Sequence, residues 1–178
     1  MTCIVGLVKD GEVFIGGDSA GVGGLSLAKR QDKKVFKNGE FIFGFTSSFR
    51  MGQLLRYSLT PPKNLEEKDV YQFMVVEFVN AIRECLKNGG FARKDNETES
   101  GGTFLVGYKG RLFKIMDDYQ VGEVFDNFTA CGCGEDIALG SMFSSKSLGE
   151  EERILLALKA ASNYSAGVAE PFYVESIK

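Results

Sequence analysis

The stretch TCIVGLVKDGEVFIGGDSA (residues 2–20) decides the fold of this 178-residue chain. β-forming residues over 3–8 are followed by the turn sequence KDG and by a second β-forming run over 12–15. Asp-Gly between two such runs is typical of a β-hairpin, because both residues tolerate the positive φ angles of a tight turn. The sequence therefore predicts that the chain begins with a hairpin, which ends at the sequence GGD over 16–18.

Downstream of this hairpin, strand patterns and helix patterns come in blocks. A second hairpin is predicted over 34–45, and later strands over 103–108, 111–116, near 119, 128–131 and 172–177. Helices are predicted over 47–58, 68–87, 135–145 and 150–164. The clearest helix is 68–87, where apolar residues recur at i, i+3 and i+4. The polar stretch 92–101 is predicted to be a surface loop.

The order of these blocks indicates the fold class. Short turns between neighbouring strands favour antiparallel sheets, and helices that come in pairs favour an α+β fold over repeated βαβ units. Two antiparallel sheets with helix pairs on their outer faces account for all the predicted elements. The length is that of one domain, so a single domain over 1–178 is predicted.

Composition excludes several classes of function. The net charge of −3 provides no basic field for nucleic acid or for an acidic membrane surface. The chain has no histidine, which excludes a Ser–His–Asp triad, a Cys–His pair and a histidine-ligated metal site. Without a signal-peptide pattern or a long apolar run, the chain is predicted to be cytoplasmic, with reduced thiols.

Two motifs resemble ligand sites. The glycine-rich stretch 16–24 could bind phosphate or form a tight turn, and the turn is favoured because no long helical pattern follows it. Cys131-Gly132-Cys133 is half of a metal-binding pattern, but the chain has no second pair. Strand alternation predicts that both thiols lie on one face as small apolar groups, with a catalytic Cys133 as the alternative. No metal and no cofactor is predicted.

The third candidate is Thr2. Removal of Met1, which a small second residue permits, leaves Thr2 with an α-amine and a hydroxyl on the same residue. The ordinary pKa of an α-amine, about 7.7–8.0, suits a general base near neutral pH. A threonine activated by its own amine is a nucleophile that needs no histidine. Its significance depends on the residues that accompany it.

Those residues resemble a known family. The opening stretch, followed by Lys33-Lys34-Val35-Phe36, is similar to β-type proteasome subunits. It is especially similar to the peptidase subunit of the bacterial two-component ATP-dependent protease. The family places a threonine, a Gly-Asp and a lysine about sixteen residues apart, as Thr2, Asp18 and Lys34 are here. Weaker matches follow at GFTS (44–47), CGCG (131–134) and NYSAG (163–167).

The resemblance implies a four-layer αββα sandwich, the fold of N-terminal-nucleophile hydrolases. It implies that Thr2 is nucleophile and proton acceptor, and that Lys34 lowers the pKa of the Thr2 hydroxyl and relays a proton. Asp18 would hold the lysine, and the Ser47 N–H would lie in the oxyanion hole. Lys33 competes for the role of active lysine, and Lys34 is preferred because it directly precedes the apolar pair.

The chain also departs from the family. Ser47 stands where glycine is common, and Cys133 stands where the family has a supporting serine. The second aspartate of the family and its nearby serine correspond to Asn163 and Ala166. The support around the terminal amine, from Cys133 and Asn163, is therefore expected to be weaker, while Thr2 and its lysine remain.

The resemblance implies a threonine-type endopeptidase subunit of a self-compartmentalising, proteasome-like ring. Its partners would be a polypeptide substrate, further copies of the chain in a homo-oligomeric ring, and an ATP-dependent unfoldase as an additional candidate. Two alternatives stay open. One is a non-catalytic structural or assembly protein that retains the fold, and the other is an N-terminal-nucleophile amidase for small amides.

Overall fold

Two antiparallel β-sheets lie face to face in the computed structural model, which describes all residues 1–178. The strands are β1 (Cys3–Lys9), β2 (Glu12–Gly17), β3 (Ala20–Gly23), β4 (Ser26–Lys29), β5 (Val35–Asn38), β6 (Phe41–Phe45), β7 (Arg93–Asp95), β8 (Thr98–Ser100), β9 (Phe104–Tyr108), β10 (Arg111–Ile115), β11 (Val121–Glu123), β12 (Phe128–Gly132) and β13 (Tyr173–Ile177). The helices are α1 (Phe49–Tyr57), α2 (Val70–Phe73), α3 (Val79–Asn88), α4 (Glu135–Ser144) and α5 (Glu150–Tyr164), with a π-helical segment (Met74–Phe78) that joins α2 to α3.

The first sheet has the strand order β12-β1-β2-β13, and the second has the order β11-β10-β9-β6-β5. The hairpin predicted from the opening sequence is β1–β2, with Ile4 opposite Gly17 and Lys9 opposite Glu12. This register sets the start of β1 beside the end of β2.

The two sheets pack through an apolar layer to which both contribute. Its buried residues are Ile4, Val13, Ile15, Val35, Ile42, Leu105, Leu112 and Cys131. Gly44 permits this close approach, since a Cβ there would lie 2.5 Å from Ile4 Cγ2. A larger residue at this position would therefore force the sheets apart.

Helices cover the outer face of each sheet. Helices α4 and α5 pack on the first sheet over small and aliphatic residues, among them Ala157 and Leu158 of α5. The other helices pack on the second sheet around a cluster rich in phenylalanine, in which the Phe41 ring stacks on Tyr108 with centroids 4.3 Å apart. The four layers are helix, sheet, sheet and helix, which confirms the predicted αββα sandwich.

None of the helices combines the length and the apolar character needed to cross a bilayer.

Three local expectations need correction. Residues 92–101, predicted as a loop, contain the short hairpin β7–β8, which turns through Asn96 and Glu97 at positive φ. The strand predicted near residue 119 is β11, which begins only at Val121, because Tyr119 occupies a turn with φ of 68°. The helix predicted over 68–87 begins at Val70 and includes the π-helical segment.

Candidate active site

Three predicted residues meet where the two sheets come together at one end. Thr2 directly precedes β1, Asp18 directly follows β2, and Lys34 directly precedes β5. The hairpin register brings the first two together, and Cys3 N donates a hydrogen bond to Asp18 Oδ1 at 3.0 Å. Lys34 belongs to the facing sheet, where its carbonyl accepts a hydrogen bond from Phe45 N at 3.1 Å.

The Lys34 ammonium links the other two side chains. Its Nζ lies 2.7 Å from Thr2 Oγ1 and 2.8 Å from Asp18 Oδ1. Solvent reaches almost none of the three, since Thr2 is 4% exposed, Asp18 0% and Lys34 1%. A positive charge is thus held against the threonine hydroxyl in a medium where charge interactions are strong.

Asp18 is stabilised as a carboxylate by several donors besides the lysine. Its two oxygens accept hydrogen bonds from the backbone N–H groups of Cys3, Ala20 and Ala169, at 3.0, 2.8 and 3.3 Å. Backbone donors of this kind compensate a buried negative charge. The aspartate is therefore held in place by the fold as well as by Lys34.

The environment of Lys34 also shifts its proton affinity. Burial lowers the pKa of the Lys34 ammonium below the ordinary lysine value, and the nearby Asp18 carboxylate opposes that shift without cancelling it. Its neighbour Lys33 is different, with 41% of its side chain exposed and its Nζ 3.5 Å from Glu175 Oε1. Of the two adjacent lysines, the structure brings Lys34 to Thr2.

The backbone around Thr2 is held on two sides. The Thr2 hydroxyl donates a hydrogen bond to the carbonyl of Met1, and Thr2 N donates to Cys133 Sγ at 3.3 Å. The Thr2 carbonyl accepts from Gly134 N at 3.4 Å. With Met1 attached, Thr2 N is an amide nitrogen and carries no basic lone pair.

The two thiols of the Cys-Gly-Cys motif lie in different environments, so the expectation of a shared face is wrong. Cys131 is buried between the sheets, while Cys133 lies exposed beyond the end of β12. Between them Gly132 has φ of 101°, which takes the backbone out of the strand conformation and ends the alternation. Cys133 thereby reaches the Thr2 nitrogen, and no group of potential ligands in the chain could hold a metal ion.

The structure does not bring Asn163 to this site. Asn163 is exposed in the last turn of α5, and its side chain forms no hydrogen bond with Thr2 or Cys133. Ser165 occupies the neighbouring space instead, with its Oγ 3.2 Å from Cys133 Sγ and 3.4 Å from Cys133 O. Sequence reasoning missed Ser165, although the NYSAG motif that contains it had been singled out.

Ser47 lies at the end of β6 with φ of 62°, a left-handed conformation that explains why glycine suits this position. Its backbone N–H donates to no group of the chain, while its Oγ accepts from Thr103 N at 3.1 Å. Ser48 then caps α1 by accepting from Arg50 N. An unpaired backbone donor is thus available in the cleft that Thr2 also lines.

Thr2, Lys34 and Ser47 line one cleft of about 240 Å³. Its other walls are largely apolar and include Phe49, whose ring lies 4.0 Å from the Arg30 guanidinium carbon. The cleft therefore combines a hydroxyl, a cation and a free backbone donor, which can serve acyl transfer as nucleophile and as stabilisers of negative charge. The general base that this chemistry also needs is absent while Met1 is attached to Thr2 N.

Comparison with solved structures reveals the same fold in known proteins. Thiobacillus denitrificans BPH in complex with epoxomicin has a TM-score of 0.81 and 22% identity, over 99% of this chain and 98% of that one. Eukaryotic HslV from Trypanosoma brucei has a TM-score of 0.70 and 20% identity, over 99% of both chains. Anbu, an ancestral beta-subunit from Yersinia bercovieri, has a TM-score of 0.67 and 15% identity, over 99% of this chain and 81% of that one.

These proteins have the N-terminal-nucleophile, proteasome-like fold, so the resemblance inferred from the sequence is confirmed at the level of the fold. No protein-family model matches the chain, and no curated protein matches its sequence.

Proposed function

We propose that this chain, which has the fold of the proteasome-like N-terminal-nucleophile peptidases, is a threonine-type endopeptidase subunit that acts through Thr2 once Met1 is removed. The observation that carries the proposal is the double contact of Lys34 Nζ, at 2.7 Å to Thr2 Oγ1 and at 2.8 Å to Asp18 Oδ1. A threonine hydroxyl with no catalytic partner would not need a buried ion pair beside it.

The reaction begins with the free α-amine of Thr2. This amine accepts the hydroxyl proton while Oγ1 attacks the carbonyl carbon of the scissile peptide, and the Lys34 ammonium stabilises the negative charge that develops on Oγ1. The former carbonyl oxygen becomes an oxyanion that accepts a hydrogen bond from the free Ser47 N–H.

Collapse of this tetrahedral intermediate breaks the C–N bond. The leaving nitrogen takes the proton from the Thr2 ammonium, which leaves an acyl ester on Oγ1 and a neutral amine. Water then attacks the ester with the same α-amine as base, which releases the carboxylic acid and restores the hydroxyl. Asp18 keeps the Lys34 ammonium in place throughout, and Cys133 with Ser165 positions the amine.

The proposal extends to assembly and substrate. We infer that copies of the chain form a homo-oligomeric ring that encloses the active sites and admits unfolded polypeptide, with an ATP-dependent unfoldase as a candidate partner. The fold shared with HslV and BPH supports this.

The test is direct. Protein produced without Met1, verified by intact mass, should hydrolyse fluorogenic peptides and should react with an epoxyketone such as epoxomicin, the ligand in the BPH complex. The adduct should map to Thr2, and Thr2→Ala should abolish both signals. A folded, Met1-free protein that neither hydrolyses peptides nor takes up the probe would refute the proposal. Cleavage of small amides by a monomer would favour the amidase instead.

A second candidate function is a non-catalytic structural or assembly protein. Two observations favour it, namely the thiol at the position of a supporting serine and the exposed Asn163, which makes no contact with the amine. The two functions differ in the native N-terminus. A peptidase requires native protein that begins at Thr2, whereas a scaffold that keeps Met1 in its own cell has no nucleophile.

A further inference from the structure

Cys133 is in contact with the nitrogen atom that serves as base in the proposed reaction. Its Sγ lies 3.3 Å from Thr2 N, and the Ser165 hydroxyl donates a hydrogen bond to the same sulfur at 3.2 Å. Gly167 closes a further side, since a Cβ there would lie 2.6 Å from Cys133 Sγ. These contacts confine the sulfur beside Thr2 N.

The Cys133 thiol is also the one that solvent reaches. Cys133 is exposed, whereas Cys3 and Cys131 are buried and Cys85 is half-buried. A small dissolved oxidant such as hydrogen peroxide therefore meets Cys133 first among the thiols. Reaction of the thiol with the peroxide breaks the O–O bond, forms an S–O bond and releases water. The sulfur is oxidised to a sulfenic acid and the peroxide is reduced.

A sulfenic acid condenses with a neighbouring thiol or nitrogen, and here the nitrogen is the better placed of the two. Cys3 belongs to the apolar cluster under α4 and α5, and burial raises the pKa of its thiol to about 12, so it offers almost no thiolate near neutral pH. Thr2 N, at 3.3 Å, lies within the separation of about 3–3.5 Å from which two atoms can react. Removal of Met1 frees the lone pair of this nitrogen.

We propose that the Cys133 sulfur and the Thr2 amine form a reversible sulfenamide cross-link in the presence of a hydroperoxide, and that this pair is a redox-modification site that switches the peptidase off. The inference rests on the proposed function in one respect, the removal of Met1. In the linking step the amine attacks the sulfenic sulfur, an S–N bond forms and the S–O bond breaks. The departing hydroxyl group leaves as water with one proton from the nitrogen.

The cross-link removes the base and spares the nucleophile. A sulfenamide nitrogen is much less basic than an amine, so it does not take the proton of the Thr2 hydroxyl. A low-molecular-weight thiol reverses the link by attacking the Cys133 sulfur, which breaks the S–N bond and returns a proton to the nitrogen. A second thiol then reduces the mixed disulfide that remains. A serine at this position, as in the family, has no sulfur and could not form the link.

The experiment treats Met1-free protein with hydrogen peroxide, removes the excess with catalase, and analyses the chain unfolded and unreduced. The intact mass should fall by about 2 Da, for the two hydrogens that are lost when the link forms. Digestion should join the peptides of Thr2 and Cys133, and amine labelling should miss Thr2. Free thiols should remain at Cys3, Cys85 and Cys131. Peptide hydrolysis should fall in proportion to the linked fraction and should return with dithiothreitol.

Two variants locate the link. Cys133→Ser should not show the mass loss, whereas Cys85→Ser, the matched control on α3, should show it as the parent does. Oxygen that stays on Cys133, as a sulfenic or sulfinic acid, would overturn the inference. Loss of the Cys3 thiol together with a labelled Thr2 amine would also overturn it, because that is the pattern of a Cys3–Cys133 disulfide. A link in protein that hydrolyses no peptide would support the modification site and refute only the proposed activity.

Discussion

The two members of the Lys34–Asp18 ion pair differ in how many other hydrogen-bond partners each has. Apart from their contact with each other, the Asp18 carboxylate accepts hydrogen bonds from three backbone N–H groups, whereas the Lys34 ammonium has one further hydrogen-bond partner, the Thr2 hydroxyl, and the Phe49 ring at 5.6 Å. Lys34 therefore depends on Asp18 more than Asp18 depends on Lys34. This inequality separates the roles of the two residues in stability and in chemistry.

The first prediction concerns stability. Asp18→Ala should lower the free energy of unfolding by about 3–5 kcal/mol, because it leaves a buried ammonium with one hydroxyl partner and frees three backbone donors. Lys34→Ala should cost less, since the backbone donors still compensate the carboxylate. Urea unfolding of both variants measures the difference. Equal losses, or the reverse order, would show that the backbone donors do not support Asp18.

The second prediction concerns turnover by the Met1-free protein. Lys34→Ala should reduce kcat/KM by about 10²–10³-fold, the range for loss of one group that stabilises developing charge. Lys34→Arg should also fail, because the bulky, planar guanidinium cannot take the place of a compact ammonium that contacts Thr2 Oγ1 and Asp18 Oδ1 in a buried site. The adjacent Lys33→Ala is the matched control and should retain parent activity. If only Lys33→Ala lost activity, Lys33 and not Lys34 would be the catalytic lysine.

The third prediction concerns pH. Burial lowers the pKa of Lys34, whereas a hydrogen bond to Glu150 raises the pKa of exposed Lys9. NMR titration of the ¹³Cε resonances should therefore give a midpoint for Lys34 below the ordinary lysine value and below that of Lys9. A Lys34 midpoint at or above the Lys9 midpoint would contradict this account of the site.

The same shift sets the sign of a stability effect. Between the lowered pKa of folded Lys34 and the ordinary pKa of the unfolded chain, the unfolded state binds more protons. The contribution of Lys34 to the free energy of unfolding therefore rises with pH across that window and is constant below it. Comparison of the parent with Lys34→Met in urea at several alkaline pH values isolates this contribution.

The fourth prediction concerns Cys133. It is the one exposed thiol of four, and burial raises the pKa of Cys3 to about 12, so alkylation should label Cys133 first. Because Cys133 Sγ lies 3.3 Å from Thr2 N, its alkylation should block peptide hydrolysis. Cys133→Ser should keep activity, since a hydroxyl offers a stronger hydrogen bond, and should make the protein resistant to the reagent. A Cys133→Ser variant that is still inhibited would place the sensitive thiol elsewhere.

The sequence predicted what depends on periodicity and spacing. The Asp-Gly turn between two β-forming runs predicted β1–β2. The grouping of Thr2, Asp18 and Lys34 was predicted from the resemblance to the family, and no local pattern indicates that Lys34, on the facing sheet, reaches the other two. The hairpin β7–β8 was missed because its residues are polar on both faces, and such a strand shows no alternation.

The side chains around Thr2 N could not be predicted from the sequence, for a different reason. The position of Cys133 depends on the left-handed backbone at Gly132, and the contact of Ser165 depends on how the chain leaves α5. Neither conformation has a periodic signal. Similarity to the family favoured Asn163 at that point, but Asn163 lies in the last turn of α5, and Ser165, two residues further on and outside the helix, reaches the thiol instead.

Met1 lines the same cleft as Thr2 and accepts the hydrogen bond of its hydroxyl. Under the proposed function, a copy that keeps Met1 is inactive for two reasons: Thr2 N is part of an amide and cannot act as a base, and the Thr2 hydroxyl is hydrogen-bonded to the Met1 carbonyl. One irreversible hydrolysis of the 1–2 peptide bond activates each copy. The number of active sites in an assembly then equals the number of copies from which an aminopeptidase has removed Met1. The activity of a mixed assembly should therefore rise in steps with the fraction of processed copies.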